Sequence, residues 1–421
     1  MLSIIKKLIP KSVFKTLQPI YHYKLSLLGA ILYNFPARNM YVIGVTGTKG
    51  KSSTTEIING ILEKAGHKTA LTNTIRFKIG DDSVRNLYKM SMPGRFFMQS
   101  FLAKAYKAGC THAVIEMTSE GARQFRHKWI DLDAFVFTNL SPEHIESHGS
   151  YENYKKAKLS IAKLVETSKK PDKFMVINAD DMNAKMFLDL DVKNKITYSL
   201  KNAQPYSTEE NNTFFTFDGM QIRPKLIGLF NIYNCLAAAT LAKHMGIPNE
   251  VIAQGIQNIT IIEGRVQKID LGQGFDVVVD YAHTVDSLEK LYQAFPNQRK
   301  ICVLGNTGGG RDTWKRPEMA KIADQYCDKI ILTNEDPYDE NPEKIVNEMR
   351  VAIVNKPCEI VMDRREAIAK AISYARLGNV VLISGKGTDP YIMGPNNSKI
   401  PWSDANVARE EIKNMLDKRT P

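Results

Sequence analysis

The sequence predicts an α/β protein built on two sheets, and three observations predict it. An apolar run, Tyr41-Val42-Ile43, enters a glycine-rich turn, Gly44 to Ser53, and the turn leaves into Ile57, Ile58, Ile61, Leu62 and Ala65 at helical spacing. Short apolar runs such as His112–Ile115 and Ala134–Phe137 recur between helical patterns, as buried strands of a parallel sheet do. A second series of the same kind begins near Asp276. With 421 residues and 43% hydrophobic content, the chain is long enough for two or three domains with sizeable cores.

The strand, turn and helix order makes the glycine turn a phosphate site. Gly47, Thr48, Lys49, Gly50, Lys51, Ser52 and Ser53 form a P-loop-like segment whose N–H groups converge on phosphate oxygens at a helix N-terminus. Lys51 is placed to reach the outer phosphates of ATP, and the Ser52 hydroxyl to ligate Mg²⁺. The strict spacing asks for glycine where Val45 stands, and the alternative is a plain Gly/Ser-rich turn.

The formal net charge of +12 admits nucleic-acid or membrane contact and equally suits an enzyme for anionic, phosphorylated substrates. Five cysteines occur singly, without a CxxC pair, which reads as a reduced cytosolic protein. In residues 1–40, apolar positions interleave with Lys6, Lys7, Lys11 and Lys15. No apolar run there approaches the roughly 18 residues of a membrane span, and a signal peptide is not expected. These residues read either as an amphipathic segment touching a membrane or as a helix pair packed on the body.

Further along, Thr69 to Ile75 reads as a second strand, Gly80-Asp81-Asp82 as a turn, and Phe96 to Lys107 as a helix closed by Gly109. The strand His112–Ile115 ends in Glu116, at the strand edge where ligands of a doubly wound sheet bind, so Glu116 reads as a Mg²⁺ or water ligand. After Ala134–Phe137 comes a loop with Glu143, His144, Glu146 and His148, either metal ligands or polar surface. On the helix from Tyr151, Lys158 falls on the apolar stripe of Tyr154, Ile161 and Val165. Such a lysine is paired, neutralised, modified or snorkelling, and spacing alone favours snorkelling. Thr213 to Ile222 carries a hairpin signal around Asp218-Gly219, and Phe230–Asn234 leads into an alanine-rich helix over Cys235–His244. Beyond it, runs at Asp276–Asp280, Lys300–Leu304, Lys329–Leu332, Glu359–Met362 and Val380–Ile383 alternate with helical stretches at Pro317–Gln325 and Arg364–Leu377, a Rossmann-like pattern.

GTKGKSS, the strand-end Glu116, TNLSPEHIESHG, YENYKKAK, FNIYNCLAAA, EGR at 263–265, DYAHT at 280–284, GGGRDTWKRP at 308–317 and SGKGTDPY at 384–391 occur in this order. As an ordered set they resemble the Mur ligase family over about residues 41–415, and most of all its MurE type. The resemblance implies a P-loop central domain with a parallel-rich sheet over 41–262, a C-terminal Rossmann-like ligase domain over 263–421, and a short extension over 1–40. It implies phosphorylation of a muramoyl-peptide carboxylate by ATP with Mg²⁺. Attack by an amino acid's amine on the acyl phosphate then gives an amide, ADP and phosphate, in peptidoglycan precursor synthesis. It further implies that His144 ligates Mg²⁺ and that Lys158 is carbamylated, so that Lys51, Glu116, His144 and Lys158 form the catalytic group. Asn234, Arg265, Asp280 and His283 would contact the nucleotide. Ser91 would touch the acceptor. Arg311, Lys315, Arg316, Glu335, Asp336, Tyr338, Gly385, Lys386 and Asp389 would line the amino-acid side.

Four departures from the family pattern shape the expectations. Thr118-Ser119-Glu120-Gly121 replaces Ser-Ser-His-Gly, and Ser91-Met92-Pro93 replaces Thr-Thr-Pro. In Glu335-Asp336-Pro337-Tyr338, a tyrosine stands where an arginine reads meso-diaminopimelate, so lysine or a related diamine is expected. Only residues 1–40 precede the nucleotide strand, where the family has a UDP-binding domain, so these residues are expected to help hold the acceptor. A cytoplasmic monomer without a nucleic-acid partner, peripheral to the inner membrane face, is the resulting picture. The rivals are a folylpolyglutamate synthase-like or poly-γ-glutamate ligase and a non-catalytic P-loop scaffold at the membrane.

Overall fold

The structure is a computed structural model that describes residues 11–143, 145–209, 212–310 and 312–418. By packing, the chain divides into two compact units: the described parts of Met1–Gln204, Thr216–Ile222 and Tyr233–Asn258, and those of Pro205–Phe215, Arg223–Ile232 and Ile259–Pro421.

In the first unit, Val42, Ile43 and Val45 are fully buried, and their strand β1 (Tyr41–Thr46) runs through the middle of the sheet. A helix α1 (Lys11–Leu32) precedes it, and α2 (Lys51–Lys64) follows the glycine turn. Next come β2 (Thr69–Thr72), β3 (Arg76–Ile79), β4 (Asp82–Arg85), α3 (Arg95–Lys107), β5 (His112–Glu116) and β6 (Ala134–Phe137). Then α4 (Tyr151–Thr167), β7 (Phe174–Asn178) and β8 (Asn194–Tyr198) follow. The strand order is β4-β3-β2-β5-β1-β6-β7-β8, parallel from β2 to β8 and antiparallel at the β3–β4 edge. The loop after β1 therefore opens between β5 and β6, the crevice position of a doubly wound sheet.

Several expectations are corrected in detail. The single strand over Thr69–Ile75 is broken at Asn73, whose Oδ1 accepts from the N–H groups of Ile75 (2.9 Å) and Arg76 (2.8 Å). This local side-chain bonding turns the backbone instead of extending it. Residues 11–39 form one long helix and a short 3₁₀ turn, Pro36–Asn39; the rest of the segment read as a helix pair, residues 1–10 with Lys6 and Lys7, lies outside the described residues. One face of α1 packs on α3: Ser26, Gly29 and Ala30 are buried, and a methyl at Gly29 would touch the Phe96 ring at 3.5 Å. Among the described helices none is long and apolar enough to cross a membrane.

Strands β9 (Tyr206–Ser207) and β10 (Phe214–Phe217) pair antiparallel, and β11 (Met220–Ile222) follows the expected turn, with Asp218 and Gly219 at φ of 52° and 80°. Helix α5 (Leu229–His244) begins six residues earlier than Cys235 because Ile232, Leu236 and Ala239 already continue one buried face. A further helix, α6 (Asn249–Gln257), packs closely on α2, where Gly255 leaves room for the Ile61 backbone.

The second unit holds β12 (Gln267–Ile269), β13 (Asp276–Val279), α7 (Val285–Gln293), β14 (Arg299–Leu304), α8 (Lys315–Tyr326), β15 (Lys329–Leu332), α9 (Pro342–Arg350) and β16 (Cys358–Ile360). It ends with α10 (Arg364–Tyr374), β17 (Asn379–Ile383), the hairpin β18–β19 (Tyr391–Met393, Lys399–Pro401) and α11 (Asp404–Asp417). The sheet order is β12-β13-β17-β14-β15-β16, parallel except for β12, an edge strand the sequence pattern did not reveal. Two apolar cores form, one around Leu304, Met319 and Leu382, the other around Val303, Ile368 and Ile412. Cys302 and Cys327 are joined as a disulfide, their Cα atoms 6.2 Å apart, which overturns the reading of five reduced thiols. Strand β14 and the end of α8 bring together two cysteines 25 residues apart, a pairing no local spacing announces.

Candidate active site

The loop after β1 is held open by its neighbours. Gly50, the N-cap of α2, has φ 81°, and a Cβ there would lie 2.4 Å from Asn234 Oδ1. Only glycine fits, and it has no side chain to occupy the first-turn N–H groups, which are left for an anion. Asn139 shapes the same loop: its Oδ1 accepts from Lys49 N (2.9 Å), its Nδ2 donates to Lys49 O (3.1 Å), and its carbonyl accepts from Thr48 N (2.8 Å). Thr138 Oγ1 adds a bond to Lys49 O at 2.7 Å. Lys51 Nζ folds back to Thr48 O at 2.8 Å, and Lys49 pairs with Glu143 at 3.0 Å. Ser53 is buried in the first turn of α2.

Ser52 Oγ donates to Glu116 Oε2 at 2.9 Å, so the residue after the P-loop lysine and the end of β5 converge. Glu116 also accepts from Thr74 N (2.8 Å) and Thr74 Oγ1 (3.0 Å), and Thr74 Oγ1 lies 2.8 Å from Ser91 Oγ. A continuous chain thus runs from Ser52 through Glu116 and Thr74 to Ser91. Thr74 carries no motif signal of its own, and Asn139, though inside TNLSPEHIESHG, had no role assigned from it; both act through loops that return in space.

Lys158 does not snorkel. It is 1% exposed, donates to Gly47 O at 2.7 Å and lies 5.0 Å from the centre of the Tyr154 ring. Among the described residues no carboxylate pairs with it. Burial above all, then the nearby Lys51, holds its ammonium well below the usual lysine range. The stripe put Lys158 on the core side, but the helix lies too deep for its four-carbon stem to reach water. His144 is outside the described residues. His148 Nε2 lies 3.2 Å from Ser119 Oγ, and burial, followed by Arg123, pushes its imidazole down to about 4. Among the described residues no three His, Cys, Asp or Glu side chains gather as a metal cage. Mg²⁺ needs none, because it keeps waters and phosphate oxygens beside one or two carboxylates. The hard oxygens of Ser52 and Glu116 suit it.

The second unit gathers most of the remaining candidates. Asp280, at the end of β13, accepts from Val266 N and Ala282 N, both at 2.7 Å. Burial pushes its carboxyl up, and Arg265 with these donors pulls it back. Arg265 stacks on Tyr281 at 4.5 Å, and His283 Nδ1 lies 2.6 Å from Tyr281 O, so Nδ1 carries the proton. Lys315 and Arg316 open α8, both buried. Arg316 is bound to the chain's own Glu340 (2.7 and 2.8 Å) and Glu348 (2.7 Å). Asp336 and Lys386 pair at 2.6 Å, Lys386 also donates to Tyr391 O at 2.6 Å, and Asp389 stands 3.6 Å away. Glu335 accepts from Thr307 Oγ1 at 2.9 Å, while its buried Oε2 has no partner among the described residues. Gly385 is needed here, since a Cβ would lie 2.2 Å from that oxygen. Tyr338 has φ 52° and lies beside Gly309. Arg311 is outside the described residues.

Comparison with known proteins agrees with this geometry. The Mur ligase middle domain family matches residues 45–242, and the Mur ligase glutamate ligase domain family matches 264–387. The chain is similar, at 34% identity over 407 residues, to a UDP-N-acetylmuramoyl-L-alanyl-D-glutamate–2,6-diaminopimelate ligase of Syntrophomonas wolfei, covering 93% of this chain and 82% of that one. It is also 34% identical, over 93% of its length and 82% of the relative's, to a UDP-N-acetylmuramyl-tripeptide synthetase of Roseiflexus. A solved UDP-N-acetylmuramoyl-L-alanyl-D-glutamate–2,6-diaminopimelate ligase aligns with TM-score 0.60 at 28% identity, over 90% of this chain and 79% of that one. Mycobacterium tuberculosis folylpolyglutamate synthase shares the fold, with TM-score 0.69 at 14% identity over 93% and 94% of the two chains. The chain belongs to the Mur ligase family.

Proposed function

We propose that this chain is an ATP-dependent ligase that joins an amino acid to the carboxylate of a UDP-muramoyl peptide, through an acyl phosphate, in peptidoglycan precursor synthesis. The observation that carries this reading is the meeting of Ser52 with Glu116 beneath the Lys51 loop, beside the buried Lys158, which has no ion-pair partner among the described residues. Lys51, released from Thr48 O, is in reach of the outer phosphates, and the loop N–H groups cradle them. Mg²⁺, held by Ser52 and Glu116 with His144 as the family's further ligand, would neutralise charge on the transferring phosphoryl group. Thr74 fixes the Glu116 carboxylate and ties it to Ser91 on the acceptor side.

Lys158 is carbamylated in the working enzyme. Its depressed basicity supplies a neutral amine, whose lone pair forms an N–C bond to CO₂ while one proton leaves to solvent. The product is an anion with one N–H left to donate to Gly47 O. Asn234 serves as a nucleotide contact of the first unit, and Arg265, Asp280 and His283 serve as nucleotide contacts of the second. Lys315, Arg316 and Arg311 serve the amino-acid side, with Arg316 acting through Glu340 and Glu348. The added amino acid is a diamine, with lysine first. Glu335 Oε2 is a buried acceptor suited to an ammonium, whereas Arg316 and Lys386 are engaged by carboxylates and Tyr338 offers no cation for the distal carboxylate of diaminopimelate. The chain works as a cytoplasmic monomer, divided functionally at residue 262/263, with α1 in contact with a membrane surface and no nucleic-acid partner.

The test is amino-acid-dependent ADP release with a UDP-muramoyl-dipeptide acceptor, run over the common amino acids and meso-diaminopimelate. Lysine should give the highest kcat/KM. Release with no amino acid would sink the ligase reading, and a clear preference for meso-diaminopimelate would sink the lysine assignment alone.

A further inference from the structure

From Leu17 on, helix α1 is apolar on two faces, and among the described residues only one is covered. Ser26, Gly29 and Ala30 lie against α3, and Arg95 of α3 bonds His22. The opposite face carries Leu17, Ile20, Tyr21, Leu28, Ile31 and Leu32, spaced i, i+3, i+4, i+11, i+14 and i+15, with Leu28 53% and Ile31 57% exposed. A helix that is hydrophobic all round belongs in a core or at a membrane, not in water. A second exposed apolar group lies across α3. Val84, Leu87, Tyr88 and Met90 are exposed, and the Tyr88 ring rests 5.6 Å from Phe97, the neighbour of the Phe96 that supports α1. Exposed apolar groups gathered in this way mark an interaction surface.

The chain before Tyr41 is basic in sequence; of its cations Lys24 is exposed on α1, while Arg38 pairs with Asp131 at 3.1 Å. Before Tyr41 the charged residues are Lys6, Lys7, Lys11, Lys15, Lys24 and Arg38, with no Asp or Glu, and Arg85 and Lys89 punctuate the second group. Lys24 and Arg85 are exposed. A soluble protein partner would need a matching apolar face and acidic rim of its own, whereas an anionic bilayer supplies both everywhere on its surface.

We infer that the outward face of α1, together with the 84–90 segment, is a docking surface for an anionic lipid bilayer. It rests on the membrane-contact reading of α1 and gives it residues, a lipid class and an orientation. Because Met90 precedes Ser91, docking sets the acceptor loop against the lipid surface.

The full chain should co-sediment with vesicles containing phosphatidylglycerol and far less with pure phosphatidylcholine, and high salt should weaken the binding. Leu28→Glu with Ile31→Glu should lower the partition coefficient at least about tenfold, since apolar burial drives interfacial binding. Lys24→Glu and Leu87→Glu should each lower it severalfold at unchanged thermal melt and ADP affinity. These single variants decide the matter if the double variant does not fold. Wild-type protein that ignores anionic vesicles, variants that bind as wild type does, or a face buried by self-association in sedimentation velocity would each overturn the inference. Ligation of a soluble acceptor without vesicles reports on the ligase separately: vesicle binding without ligation leaves the surface standing and removes the ligase reading.

Discussion

Lys158 in the first unit and Lys386 in the second are buried alike, at 1% and 0% exposure, but in opposite company. Lys386 is held by the Asp336 carboxylate and a backbone carbonyl, both at 2.6 Å, with Asp389 behind it. Lys158 has one carbonyl and a ring face. A buried cation with a carboxylate and a carbonyl is a finished structural element, whereas one with no ion-paired carboxylate among the described residues is a cost that folding alone does not explain. The difference teaches where to look for chemistry: the first unit buries a lysine without an ion-pair partner among the described residues, and the second uses one to tie the loop after β15, with Asp336, to the loop after β17.

The largest expected effect separates the two directly. Lys158→Met should cut kcat by about a thousandfold or more, since it removes a group that acts on the transferring phosphate's surroundings. Its melting temperature should stay close to wild type, because no carboxylate among the described residues is ion-paired with Lys158 and Glu116 and Glu143 keep their own partners. Lys158→Ala should recover part of the rate with an added small carboxylate. A Lys158→Met enzyme that turns over normally would erase the contrast. Next in size, Lys386→Met strands Asp336 in the interior and should cost about 3–5 kcal/mol in chemical denaturation, because one partner of a buried pair is lost. A near-neutral result would mean that Asp336 finds water, and the second lysine would then be no more structural than the first.

Thr74→Val sharpens the comparison at the edge of the Lys158 site. It removes a hydroxyl bonded to both Glu116 and Ser91, at a cost of about 1–2 kcal/mol in kcat/KM for the acceptor. Thr74→Ser should restore it. Mg²⁺-dependent ADP affinity, measured by calorimetry, should fall with Thr74→Val and return with Thr74→Ser, a response that a purely structural residue would not give.

The smallest effect is in pH. With its folded-state pKa depressed, Lys158 in CO₂-free buffer holds fewer protons folded than unfolded between that pKa and the ordinary lysine value near about 10.4, so stability contributed here rises with pH across that window. The wild type should therefore gain on Lys158→Met in denaturant titrations as the pH is raised from neutrality. A gain on lowering the pH would contradict the depression.

What the sequence disclosed follows a physical divide. Local patterns carried β1, the glycine turn, the helix α2 and the strand end at Glu116, because each depends on neighbours in the chain. The Lys158 stripe was legible too, but spacing on one helix does not say how deep that helix lies. Thr74, the loop-shaping role of Asn139 and the Cys302–Cys327 pair were illegible because their partners come from distant parts of the chain. Asn73 broke a strand through its own side chain, a competition that apolar patterning does not register. The Glu335 Oε2 oxygen became informative only when the fold showed it buried, beside Gly385, without a donor among the described residues.

If the chain makes its amide through an acyl phosphate, the acceptor carboxylate gives one oxygen to phosphate. With an acceptor labelled with ¹⁸O in that carboxylate, ligation should deliver one ¹⁸O into the released inorganic phosphate for each amide formed, read by mass spectrometry or ³¹P NMR. Phosphate carrying no label while amide accumulates would contradict the assignment at its centre.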